Sequence, residues 1–139
     1  MYAQQAYQAY QQNQVQTQPQ EKLVLMLYEG ALRFIKQAQE AVAARKYDQT
    51  SYFLGRAQDI LSELMLTLNL EVGDIAHRLY ALYDFMYRHL VQANLKKDPQ
   101  MMTEVYRLLS ELHEAWEEAT RRYHSHNYLT RPGGLEGQS

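Results

Sequence analysis

The sequence has no cysteine. Disulfides, thiol nucleophiles and cysteine-ligated metals are therefore excluded. Glycine and proline are scarce, six and three in 139 residues, so few positions punctuate the chain. Neither charge sign is in excess, with a net charge of −2. That argues against wholesale nucleic-acid binding. No apolar run approaches the ~18–20 residues needed to cross a bilayer. The N-terminus is glutamine-rich rather than basic and then apolar, so it does not read as a secretory signal. These absences predict a soluble, cytoplasmic chain with no nucleic-acid partner and no direct membrane insertion.

What is present is helical. Apolar residues make up 46% of the chain and tyrosine occurs twelve times. The length suits a single domain with one core. The stretch Thr17 to Ile35 opens with turn and capping residues and then carries six consecutive apolar residues, Leu23 to Tyr28. Such a run covers every side of a helix, which predicts near-complete burial and a central helix with the others around it. Helix 1 is expected over about 18–44, starting from the Thr17–Gln20 capping-box spacing with Pro19 in the first turn. Asp48 is the expected cap of helix 2, which runs to about Asn69 through Phe53, Leu54, Ala57, Ile60, Leu61, Leu64, Met65 and Leu68. Gly73 stops the connection and Asp74 is the expected cap of helix 3, about 75–95. Asp98-Pro99 reads as the cap and first residue of helix 4, about 99–124. The expected fold is all-α, an antiparallel up-down four-helix bundle over residues 17–124. A mobile Tyr/Gln-rich arm (1–16) precedes it and a disordered tail (125–139) follows.

The search for chemistry is negative. Bundles that hold two metals use Glu-x-x-His pairs, and none occurs here. His113-Glu114 lacks the second histidine of a zinc-protease motif, because position 117 is Glu. His124 and His126 are expected to be solvated, and His89 to be structural. There is no phosphate-cradling loop and no nucleophile elbow. No cofactor and no metal are expected, and the chain does not read as an enzyme.

Helix 3 carries a surplus. Ile75, Leu79, Leu82, Met86, Leu90 and Ala93 fit a core-facing arc. Ala76, Tyr80, Tyr83, Tyr87 and Val91 form a second stripe beside it. With Phe85 the apolar arc exceeds half the helix. Either helix 3 lies deep in the core, or the second stripe is a groove wall awaiting a partner. Tyrosine suits the latter role, with large apolar area, few rotors and a polar tip. Helix 2 has a similar surplus in Tyr52 and Met65.

The segment Ala9 to Ile35 resembles the opening signature of the flagellin-specific export chaperones, the FliS family. The matching residues are Tyr10, Val15, Thr17, Lys22, Leu23, Met26, Leu27, Tyr28, Glu29 and Gly30. Further similarity follows in Ala57-Gln58-Asp59-Ile60, Glu63-Leu64, Leu82-Tyr83, Tyr87, Leu90, Ala93-Asn94 and Ala115-Trp116. One departure is local: Gln18 precedes Pro19 where the family usually has Ser or Thr. The resemblance implies a small cytoplasmic α-bundle without catalytic activity. It would bind the C-terminal segment of flagellin, prevent premature polymerisation and deliver the client to the flagellar type III export gate.

From this resemblance and the surplus stripe, the expected flagellin-binding residues are Leu54, Ile60, Leu61, Leu64, Tyr80, Tyr83, Tyr87 and Val91. Tyr7 and Tyr10, three apart on one side of a helical turn, are the expected docking residues for the cytoplasmic domain of the export gate. Tyr10 is the one the resemblance carries over. The alternative reading is a non-catalytic bundle whose surplus stripe makes a homodimer or structural assembly when client is absent. Gly30, inside helix 1, is expected to permit close approach of a neighbouring helix or side chain.

Overall fold

The computed structural model of the chain describes residues 18–130. Four helices follow one another: α1 (Gln18–Ala43), α2 (Tyr47–Leu66), α3 (Asp74–Lys96) and α4 (Pro99–Thr130). A short 3-10 turn, Leu70–Val72, precedes α3. Each helix lies antiparallel to its sequence neighbour, and α4 closes the ring against α1. This is the expected up-down bundle. Residues 1–17 and 131–139 lie outside the described residues, so the capping Thr17 does too.

The helix stops follow from local chemistry. After α1, Lys46 N–H donates to Ala41 O and Arg45 N–H to Val42 O, with Arg45 at φ 61°. After α3, Asp98 and Lys97 repeat this pattern onto Ala93 and Asn94, with Lys97 at φ 50°. Both are Schellman-type ends in which a long cation, rather than glycine, adopts the left-handed conformation. Asp98 caps α4 as expected, accepting from Gln100 N–H at 2.9 Å. Two other expected caps differ. Asp48 and Asp74 lie inside the first turns of α2 and α3, where Lys46 and Gly73 hold the cap positions without a side-chain bond. There the carboxylates complement the helix dipole instead. Gly73, at φ 123°, makes the bend into α3.

α4 continues to Thr130, past the expected end near 124. Two contacts lie just before the added turns. Glu118 receives both Arg121 and Arg122 one turn on, which holds its carboxyl below the usual range. His124, expected to be solvated, meets the buried Glu21 of α1. Two further His–Glu contacts cross helix seams on α4: His113 to Glu29 at 3.1 Å and His89 to Glu104 at 2.6 Å.

α1 is one stave of the bundle rather than its axle. It packs on α2 and α4, with α3 diagonally opposite. Val24, Tyr28, Ala31, Ile35 and Ala38 are its core face. The run Leu23 to Tyr28 is not buried all round: Leu23 is 50% and Met26 62% exposed. An antiparallel stave can bury only the side that meets its neighbours.

α3 presents Ala76, Leu79, Tyr83, Met86, Leu90 and Ala93 to the core, spaced alternately three and four. Across the diagonal, the hydroxyls of Tyr28 and Tyr83 share one hydrogen bond at 2.6 Å. Their rings are 6.4 Å apart and tilted. Burial pushes both phenols well above their usual range, so both stay neutral. Replacing either Tyr28 or Tyr83 by Phe leaves the partner hydroxyl buried without its bond. We expect each single change to cost about 1–3 kcal/mol in urea unfolding, and the double change to cost clearly less than the sum. Strict additivity would show that the bond does not couple the helices.

The α1–α2 seam is tight. A Cβ on the buried Gly30 would lie 3.1 Å from Ile60 Cδ1, which matches the close approach expected there. Alanine at 30 gains about 1 kcal/mol of helix propensity. It must also displace that methyl. We expect Gly30→Ala to stabilise the protein more in an Ile60→Val background than in the native one, by at least about 0.5 kcal/mol in thermal unfolding. Equal effects in the two backgrounds would rule out the contact as the reason for glycine.

Candidate functional site

The eight residues expected to form a client surface do not share one face. Leu54, Leu61, Leu64 and Tyr83 are core residues with essentially no accessible surface. The surplus on α3 explains the misplacement of Tyr83: when apolar residues fill more than half a helix, the pattern leaves the centre of the buried arc ambiguous. Ile60 retains partial exposure but belongs to the α1–α2 seam, against Gly30. The remaining three, Tyr80, Tyr87 and Val91, form one stripe on α3. Tyr80 is 39% exposed, and Tyr87 and Val91 are half-buried.

That stripe lines the seam with α2. The facing side of α2 is fixed by Ser51, whose hydroxyl donates to Asn94 Oδ1 of α3 at 2.9 Å. Lys97 Nζ donates to the same amide oxygen at 2.8 Å and to Ser51 Oγ at 3.2 Å, tying this end of the seam together. One turn further along α2 on that side is Gly55. A Cβ added there would meet nothing within 4 Å. Ser62 and Met65 continue the same side. Small residues on α2 thus lie on the side facing the α3 tyrosines, with open space over Gly55. The sequence carried a usable signal, Ser51, Gly55 and Ser62 on one helical face, but it is conspicuous only once the facing tyrosines are known.

The other side of α3 faces α4. There the half-buried His89 contacts Glu104 and stacks on Phe85 at 5.0 Å. This is a structural seam, as the sequence suggested for His89. Among the described residues, no group of three or more His, Asp or Glu side chains could hold a metal ion. Nor is any helix of the described residues long and apolar enough to cross a membrane. Tyr7 and Tyr10 lie outside the described residues.

The α2–α3 side of the bundle therefore combines apolar surface with hydroxyl groups. A family model described as flagellar protein FliS matches residues 3–123. The flagellar secretion chaperone FliS of Bacillus subtilis (strain 168) is 41% identical over 119 residues, 86% of this chain and 89% of that protein. Its namesake from Campylobacter jejuni is 40% identical over 114 residues, covering 81% of this chain and 89% of the relative. The one from Vibrio cholerae is 38% identical over 105 residues, covering 75% and 77%. With the family model and these relatives matching along most of its length, the chain belongs to the FliS family of flagellar secretion chaperones and is not an enzyme.

Proposed function

We propose that the chain is a cytoplasmic chaperone that binds the C-terminal segment of flagellin one-to-one, keeps it from polymerising early and delivers it to the flagellar type III export gate. The observation that carries this reading is the tyrosine stripe Tyr80, Tyr87 and Val91 beside the open space over Gly55. A disordered client that folds on binding must recover its ordering cost from a long apolar contact. A groove along two antiparallel helices offers that contact to a segment with apolar residues at helical spacing. Leu54, Leu61, Leu64 and Tyr83 then act from beneath, setting the groove floor, while Ile60 stays with the neighbouring seam.

Gly55 gives a test in which two effects have opposite signs. Gly55→Leu adds a better helix former, worth about 1 kcal/mol, and fills the groove. We expect its melting temperature to rise while calorimetry with a C-terminal flagellin peptide shows at least tenfold weaker binding than the native chain. Absence of both heat and a melting shift with the native chain would overturn the client assignment. Sedimentation across a concentration range tests the competing reading: a permanent dimer burying α3 would assign the stripe to assembly.

The delivery step rests on the N-terminal tyrosines, Tyr7 and Tyr10. We expect Tyr10→Ala to change flagellin affinity by at most about 1 kcal/mol. Recovery of the gate's cytoplasmic domain by the preformed chaperone–flagellin complex should fall much further in a pull-down. Equal recovery by native and variant complexes would remove the docking role and leave Tyr10 as a lid over the groove.

A further inference from the structure

The α1–α2 seam has an outer surface that the client groove does not use. On α2, Tyr52 and Arg56 are one turn apart and both exposed. The Arg56 guanidinium lies 4.9 Å from the centre of the Phe34 ring of α1 and donates to the Tyr52 hydroxyl at 3.0 Å. Phe34 in turn stacks on Phe53 at 6.3 Å. Arg56 is therefore held on an aromatic platform, with N–H donors still facing water. On α1, Arg33 is also exposed, and its Nη2 lies 3.8 Å from where a Gly30 Cβ would sit.

Among the described residues, neither guanidinium has a carboxylate within ion-pair distance. The exposed Arg88, Arg121 and Arg122 each do. An arginine that is positioned by stacking and lacks an acid is preorganised for a carboxylate from outside. The same face of α1 continues through Gly30 to Met26 and Leu23, at spacings of three and four. Those two residues are the exposed apolar pair noted above. From Leu23 to Arg33 the stripe runs about 15 Å, some three turns. A free anion would use only the arginine end. A helix with an apolar face and acidic residues beyond it would use the whole stripe.

We propose that the α1–α2 seam is a second docking surface, for an acidic amphipathic helical segment of a partner protein. Its apolar residues would lie on Leu23 and Met26, and its carboxylates would meet Arg33 and Arg56. Because the seam is separate from the α2–α3 groove, this partner and a client can be held together.

The test uses the full chain and a labelled peptide of about 18 residues, long enough to form a helix on the surface. The peptide carries leucines at helical spacing and two glutamates one turn beyond them. A control has glutamine in place of glutamate. In fluorescence anisotropy the glutamate peptide should bind at least tenfold tighter than the control, and less tightly as salt is raised. Arg33→Gln and Arg56→Gln should each weaken it several-fold. Arg33→Gln should leave the melting temperature unchanged, and Arg56→Gln, which loses its stack on Phe34, should lower it only slightly and stay folded. Arg56→Lys should recover only part, because the planar fork and the stack are lost. Met26→Asp should weaken it as well. Binding should survive Gly55→Leu. Equal binding of the two peptides, or arginine variants that bind like the native chain, would overturn the proposal. So would binding that is lost in Gly55→Leu, which places the peptide in the client groove. Arginine-dependent binding of phosphatidylglycerol vesicles without peptide binding would assign the patch to a membrane surface instead.

Discussion

One hydrogen bond joins two helices that face each other across the bundle's diagonal. In a ring of four staves, α1 and α3 are diagonal, and their backbones make no close approach. The Tyr28 and Tyr83 hydroxyls meet at the centre. Apolar side chains tolerate a slip or a small roll of a helix; two buried hydroxyls do not, because each has lost water and has the other in its place. Their pairing fixes how α3 is rolled about its own axis. That roll turns Met86 and Leu90 inward and leaves Tyr80, Tyr87 and Val91 along the α2 seam. The exposed stripe is thus set from inside the core.

The bundle itself was legible in the sequence. Four long periodic segments with short connections leave little choice of topology, and Asp98-Pro99 marks its helix start correctly. The rotation of the helices was harder to read. Tyr83 and Tyr87 are the same residue type four positions apart, yet one is fully buried and the other half-exposed. Tyrosine is at home in either setting, so residue type could not separate them. Their roles depend on Tyr28, which is 55 positions away from Tyr83. Likewise, nothing local distinguishes Leu23 and Met26 from the buried Val24 and Tyr28; only the two-neighbour geometry of a stave does. Asp48 and Asp74 are residues that often cap helices, but the cap positions fall earlier, on Lys46 and Gly73.

The bundle uses glycine on helix interiors in two opposite ways. At Gly30 the missing side chain is replaced by a neighbour, Ile60, and the seam closes. At Gly55 the space is left empty. A helix interior loses stability at both positions. In the first case packing returns part of the loss. In the second nothing within the described residues does, and the vacancy lies beside the tyrosine stripe.

The connections also give the bundle a direction. The α1–α2 and α3–α4 turns lie at one end, each closed by a left-handed cation and a pair of backbone bonds. There the Ser51–Asn94–Lys97 network joins α2 to α3. At the opposite end are the longer link through Leu70–Val72 and Gly73, the start of α1 and the last turns of α4. The two ends are thus fastened differently. Backbone turns and the α2–α3 side-chain network close one. At the other, His124 meets Glu21 and ties the last helix back to the first, so the chain's two outer staves are clasped where no loop connects them.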